Sequence, residues 1–305
     1  MSEASGVVIS LEELLQLSML AKKINFLPNK KVNSVLSGRH ASKLRGRGMD
    51  FLELKNYVQG DDTSKIDWRA TRRTNKTYVK IFNEERDRTV HIVLSQQSNM
   101  FFGSQGSFKS VQAARLAAIV LYSVLHSGDR VGAVVFNDEE VLQFKASKSK
   151  KNATRFLKEI VRLNQGLPLR KEQPNPKMLN KALERLMPQL KHDDLVVIIG
   201  DGSGLDDESQ EKLTHVTQHN DVIGTFIYDP LERELPSLGS LLFRNATQFV
   251  EVNTSDASFQ KTYKEHYHNR LEHFSNIALM YKIPLLEIRT DQDLIVQLQR
   301  QLGVR

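Results

Sequence analysis

The chain has 305 residues, 40% of them hydrophobic and 26% charged, which is the balance of a folded α/β-sized protein rather than a disordered or fibrous one. It contains no cysteine, so disulfides, thiolate zinc sites and cysteine nucleophiles are all excluded, and a reducing compartment is the natural expectation. The net charge is +7, and residues 37–80 concentrate it, with 11 lysines and arginines against 5 acids, which points to an acidic partner or to a solvated basic face.

The N-terminal stretch "MSEASGVVISLEELLQL" lacks the basic start and apolar core of a signal peptide, and no apolar run is long enough to span a bilayer, so the expectation is a soluble, cytoplasmic protein. Ser10 and Glu13 form a capping box ahead of an amphipathic helix whose buried side is expected to be Leu14, Leu17, Met19, Leu20 and Ile24. From Asn33 the texture changes to short, Gly-punctuated segments rich in Arg and Thr, and "KTYVKIF" alternates as a half-buried strand does. After Thr89 strands and helices alternate. "VHIVL" reads as a buried strand, followed by a helix in "FKSVQAARLAAIVLYSVLH" that Ser107 is placed to cap. "RVGAVVFN" and "EVLQFK" form a strand pair joined by the "NDEE" turn. Two helices follow, the second with Pro176 suited to its first turn. Then come the apolar strand "DLVVIIGD", a helix, the strand "DVIGTFIY", a long helix from about Ala257 to Tyr281, the strand "PLLEIRT", and a last helix that Thr290 could cap. This order predicts a doubly wound α/β fold with a mainly parallel sheet, divided as an N-terminal helix (1–32), a β-rich basic segment packed on the main domain (33–88) and the α/β domain (89–305).

"GSQGSFKS" sits between a strand and a helix like a phosphate-binding loop, but Phe108 stands where glycine must let the backbone approach the phosphates, which argues against a nucleotide-dependent enzyme. Glu265, His268 and Glu272 share a helical stripe with metal-ligand spacing, yet such mixtures on a long helix are usually solvated. Nine scattered histidines support no Ser-His-Asp arrangement. Tyr57, Trp68 and Tyr78 could stack on bases, but Asp50, Glu53, Asp61, Asp62 and Asp67 are interleaved with the basic residues and would repel phosphates, so nucleic acid is the weaker alternative.

The most specific block runs from "SGRH" through "GRGMDF", "YVQGDD", "KIDWRATRR" and "YVKIFNEER" to "SNMFFGS", "SGDRVGAVVF", "VVIIGD" and "HNDVIGTFIYDPLERELP". In order and spacing it resembles a bacterial family, domain-of-unknown-function family 58, whose members carry a von Willebrand factor type A-like, Rossmann-like domain. The resemblance implies a metal-ion-dependent adhesion site at the strand ends, built on Asp-x-Ser-x-Ser with a later Thr and Asp, where Mg²⁺ takes hard oxygen ligands. It also implies a non-catalytic adaptor working beside a MoxR-type AAA+ ATPase, or its client, in the assembly or maturation of other proteins.

Against that pattern the loop departs at each ligand position: Ser95 stands at the Asp, Gln97 at the first Ser and Asn99 at the second, with Ser98 between them. No Asp or Glu occurs from Arg88 to Gly128, and "LPLRKEQPNPKM" offers no counterpart of the Thr. Only Asp201 matches, so a degenerate site without metal is expected, with an Mg²⁺-binding site resting on Asp201 as the alternative. Asp61, Asp62, Asp67, Trp68, Arg69, Arg72 and Arg73 are retained and read as a structural motif. Asp61 or Asp62 would cap a turn, and Trp68 would bury its ring between the β-rich piece and the main domain. Arg39, Arg45 and Arg47, beside Gly46 and Gly48, are the partner-contact candidates, since guanidinium forks suit carboxylates of an acidic protein.

Overall fold

A computed structural model describes residues 6–22, 24, 49–74, 76–84, 88–169, 173–244 and 249–302. The chain divides into two compact units, one made of Met1–Pro28 with Arg88–Arg305 and the other of Asn29–Asp87. The N-terminal helix therefore belongs to the large unit. Arg39, Arg45 and Arg47 lie outside the described residues.

In the large unit, α1 (Leu11–Ala21) begins at Ser10, whose hydroxyl accepts from the Glu13 N–H; Glu13 does not close the box but pairs with Arg115. Leu14 and Ile24 are buried as the spacing predicts, whereas Met19 is 78% exposed and Leu20 also faces outward. The buried stripe is thus narrower than expected, and fully burying a leucine such as Leu14 contributes about 1.5–3 kcal/mol.

The small unit is an antiparallel hairpin of β1 (Met49–Asn56) and β2 (Tyr78–Glu84), with a 3₁₀ turn at Thr63–Lys65 and α2 (Trp68–Thr74) between the strands. Three of its acids are engaged locally. Asp61 accepts from the Val58 N–H and pairs with Lys55, Asp62 caps the 3₁₀ turn through the Ser64 N–H, and Asp67 caps α2 through the N–H groups of Arg69 and Ala70. These backbone donors hold the Asp67 carboxyl below its ordinary range. Trp68 does not bury its ring: it is 70% exposed, beside exposed Arg69, Arg72 and Arg73.

The remaining elements of the large unit are β3 (Thr89–Ser95), α3 (Lys109–His126), β4 (Arg130–Phe136), β5 (Val141–Ser147), α4 (Lys150–Gly166), α5 (Met178–Leu186), β6 (Leu195–Ile199), α6 (Asp207–His219), β7 (Asp221–Tyr228), the one-turn α7 (Pro230–Arg233), a hairpin of β8 (Ser240–Arg244) and β9 (Phe249–Asn253), α8 (Ala257–Met280), β10 (Leu285–Arg289) and α9 (Leu294–Leu302). The six-stranded sheet has the order β10-β7-β6-β3-β4-β5, and only β5 is antiparallel to its neighbour. Alternate residues face opposite sides. Val90, Ile92, Leu94, Leu195, Val197 and Ile199 join the core under α1, α3, α4 and α9, while Val93, Val134, Phe136 and Val196 join the one under α5, α6 and α8.

Three expected caps fall elsewhere. Phe108, not Ser107, precedes α3; α5 begins at Met178, two residues past Pro176; and α9 is capped by Asp293, which accepts from the Val296 N–H, while Thr290 is buried. The β8–β9 hairpin was not among the expected elements.

Candidate functional site

β3 leads through its loop to α3 on one face of the sheet, and its neighbour β6 leads to α6 on the other. The two connections diverge, so the carboxyl ends of these strands frame the crevice where doubly wound folds place ligands. Asn99, from the loop after β3, meets Asp201, just past β6. Its Nδ2 donates to Asp201 Oδ1 at 3.1 Å and to Oδ2 at 3.0 Å. The Ser203 N–H adds a third bond to Oδ1 at 3.1 Å.

A cation completes the arrangement. Lys109, the first residue of α3, is 1% exposed, and its Nζ donates to Asp201 Oδ2 and to Glu232 Oε1, each at 2.9 Å. Arg270 of α8 donates to the same Glu232 oxygen at 3.0 Å, lies 3.8 Å from Asp201 Oδ2 and packs over the Phe226 ring. Two cations and two carboxylates thus balance. Burial on its own would raise the Asp201 carboxyl, but Lys109 and Arg270 outweigh it and hold the group below the ordinary carboxylate range. Burial likewise opposes the Lys109 charge, and Asp201 with Glu232 outweighs it, so the ammonium is held above its ordinary value.

Two further carboxylates tie the neighbouring loops together. Asp138, after β4, accepts from Gln97 Nε2 (2.9 Å), the Ser98 N–H (2.7 Å) and the Asn175 N–H (3.0 Å). Gln97 also donates to the Asn175 carbonyl, and the Ser95 hydroxyl lies 3.5 Å from Gln97 Oε1. Asp229, after β7, is fully buried and accepts from the Ser104 N–H and hydroxyl, the Thr290 hydroxyl and the Leu231 N–H. Its own N–H donates to Glu232 Oε2, a capping box on α7 that aims the other Glu232 oxygen at Lys109 and Arg270. Among the described residues, Ser98 Oγ and Asn99 Oδ1 are buried without a hydrogen-bond partner.

The structure places Ser95, Gln97, Ser98, Asn99 and Asp201 at one end of the sheet, in two clusters rather than one. Gln97 turns to Asp138, and only Asn99 reaches Asp201. Lys109, Glu232 and Arg270 were missed as site residues, as were Asp138 and Asp229. The sequence did carry a signal for Lys109, a lysine in the first turn of a long apolar helix whose loop has no acid, because a buried ammonium must find its carboxylates elsewhere. Among the described residues no group of three or more His, Asp or Glu side chains could hold a metal ion, so Glu265, His268 and Glu272 form no such site, and no helix is long and apolar enough to cross a membrane.

The chain is similar to the uncharacterized proteins Mb1516 of Mycobacterium bovis and Rv1480 of Mycobacterium tuberculosis, each 23% identical over 295 residues, covering 95% of this chain and 90% of theirs. Among solved structures it is similar to the conserved hypothetical protein BatB from Bacteroides thetaiotaomicron (TM-score 0.43, 15% identity, 71% of this chain and 97% of that one). It is also similar to an aerotolerance-related membrane protein from Bacteroides fragilis (TM-score 0.39, 18% identity, 71% and 96%). The family described as protein of unknown function DUF58 matches residues 53–273, which include the α2 motif and every residue of the Lys109 cluster, and the chain belongs to that family.

Proposed function

We propose that the chain is a non-catalytic interaction protein, an adaptor that works with a MoxR-type AAA+ ATPase or its client in the assembly or maturation of other proteins. In this reading the large unit is a von Willebrand factor type A-like domain whose adhesion site is degenerate, and the protein is cytoplasmic. One observation supports it above the others. At the switch point the carboxylates of Asp138, Asp201 and Asp229 are each engaged by at least three internal donors. A general base needs a free lone pair within reach of substrate, and an Mg²⁺ ligand must point at an open position, so carboxylates engaged in this way suit neither task.

In this reading the partner is met by the strand-end face and by the basic segment. Trp68, Arg69, Arg72 and Arg73 are exposed on α2, and Trp and Arg are the residue types that dominate protein-binding hot spots. The positive balance of residues 37–80 favours an acidic partner. Asp61, Asp62 and Asp67 on the same small unit weaken the nucleic-acid alternative.

The test is direct binding of the chain to a purified MoxR-type ATPase from the same host in the presence of ATP. Saturable binding is expected, weakened about tenfold or more by Trp68→Ala with Arg72→Glu. Absence of binding at micromolar concentrations, or retention on DNA with a steep salt dependence, would overturn the reading.

A further inference from the structure

We propose that the Lys109 ammonium is the resident cation of the strand-end site, a covalently tethered replacement for a divalent ion, so that the face is built and used without metal. The clause about use rests on the interaction reading above; the clause about building does not.

The position is a poor one for a positive charge unless the charge is required there. Lys109 begins an 18-residue helix, whose dipole disfavours a cation at that end. The side chain is also almost wholly buried, which adds the desolvation cost of an ammonium. A leucine or methionine would avoid both costs. What offsets them is a pair of carboxylates from two other loops, Asp201 after β6 and Glu232 on α7, both 2.9 Å from Nζ. The ammonium thereby joins the loops following β3, β6 and β7, with Arg270 of α8 bonded to the same Glu232 oxygen. A divalent ion held by ligands from separate loops performs the same task of neutralising clustered carboxylates and fixing loop ends.

The donor set also disfavours a metal at Asp201. Both of its oxygens face nitrogen donors, from Asn99, Lys109 and the Ser203 backbone, and Mg²⁺ or Mn²⁺ would have to displace an amide and enter beside a fixed positive charge. With Lys109 and Arg270 against Asp201 and Glu232 the charges already cancel, so a second cation gains little there.

The experiment uses the full chain and Mn²⁺ followed by electron paramagnetic resonance, together with urea unfolding. Wild-type protein is expected to take up no stoichiometric Mn²⁺, and its unfolding midpoint is expected to be the same in EDTA and in millimolar MgCl₂. Lys109→Met should raise the unfolding constant on the order of a hundredfold or more, since it leaves buried carboxylate charge uncompensated, and the added mutation Asp201→Asn should recover about tenfold or more of that loss. Lys109→Ala opens the position between the two carboxylates and should gain a Mn²⁺-dependent rise in midpoint that Lys109→Met does not show. If the single variants do not fold, the wild-type Mn²⁺ titration and the Lys109→Met/Asp201→Asn double variant still decide the matter. Stoichiometric Mn²⁺ uptake by wild type that Asp201→Asn abolishes would overturn the proposal, as would a Lys109→Met variant as stable as wild type. Binding of the ATPase in EDTA tests the second clause alone. Its loss in EDTA with the Mn²⁺ results unchanged would refute metal-independent use, whereas absence of binding under every condition would refute the interaction reading and leave the cation assignment intact.

Discussion

Asp229→Asn removes one negative charge from the centre of the strand-end network while keeping the size of the side chain. Asp229 Oδ1 accepts from the Ser104 hydroxyl at 2.7 Å and the Leu231 N–H at 2.9 Å, and Oδ2 accepts from the Ser104 N–H at 2.8 Å and the Thr290 hydroxyl at 2.6 Å. An asparagine can satisfy the first pair with its one oxygen. Its NH₂ group then faces two donors. The Thr290 hydroxyl can rotate to accept, but the Ser104 N–H cannot, so a buried donor loses its acceptor and the surviving bonds lose their charge assistance. With charge-assisted bonds worth about 1.5–3 kcal/mol and an orphaned donor costing about 1–3 kcal/mol, a destabilisation of about 3 kcal/mol is expected.

The same carboxyl sets a pH dependence. Burial would raise it, but the bonds from Ser104 and Thr290 outweigh burial and hold it below its ordinary value of 3.8. A depressed folded-state value stabilises the fold above the ordinary value, and that contribution disappears as the pH falls through the folded one. The gap between wild type and Asp229→Asn should therefore be widest near neutrality and close as the pH drops below 3.8. Urea unfolding followed by far-ultraviolet circular dichroism is the suitable assay, because most of the helices and the six-stranded sheet belong to this unit, whereas the single tryptophan, Trp68, belongs to the other. A loss below about 1 kcal/mol at neutral pH, or a gap that does not change with pH, would refute the assignment of Asp229 as an ionised acceptor of four bonds.

Leu14→Ala should cost about 2–5 kcal/mol, because Leu14 is fully buried on the inner face of α1, while Met19→Ala, at a position 78% exposed, should change stability by under about 0.5 kcal/mol; equal effects in thermal unfolding would mean that α1 is rotated from the orientation described. On α9, Gln297 and Gln301 each bond both the N–H and the carbonyl of an edge residue, Arg289 and Glu287 respectively, so that two side-chain amides cover the free edge of β10. The double variant Gln297→Ala/Gln301→Ala leaves that edge unpaired and should show concentration-dependent association by light scattering, and a variant that stays monomeric at high concentration would show that the edge needs no such cover.

The regular elements were legible because their signal is local. β3, β6 and β7 are apolar runs bounded by polar residues, and α3 and α8 are long enough for period to decide. The strand-end Asp201 and the loop from Ser95 to Asn99 were legible from motif order alone. What escaped was fixed by partners distant in sequence. Ser107 looks like a cap for α3, but its hydroxyl donates to the Thr290 carbonyl across 183 positions, and Thr290 looks like a cap for α9, but its hydroxyl serves Asp229. Each side chain has the right chemistry for the local task and is taken by a long-range one. The β8–β9 hairpin could have been found from "SLLFR" and "FVEVN", two short apolar segments separated by "NATQ", but "RELPSLGS" in front of them reads as open loop. Trp68 was assigned to a buried contact because large aromatics usually find one, and α2 instead presents it beside three arginines.

The same long-range bonds bear on how the strand-end face would meet a partner. Loops after parallel strands are ordinarily the mobile part of a doubly wound fold, and a loop that orders on binding lowers affinity by the entropy it loses. Here the loop after β3 is joined to the ends of four other strands, through Asp138 beyond β4, Asp201 beyond β6, Asp229 beyond β7 and the Thr290 carbonyl beyond β10. Every one of these joints is a hydrogen bond or an ion pair between side chains or backbone already in the chain, so on the proposal that Lys109 supplies the cation, no exchangeable ion stands between the folded and the binding-ready state. Affinity for a partner on this face should then respond to substitutions such as Asp229→Asn that loosen the joints without touching the surface, and should not respond to chelation.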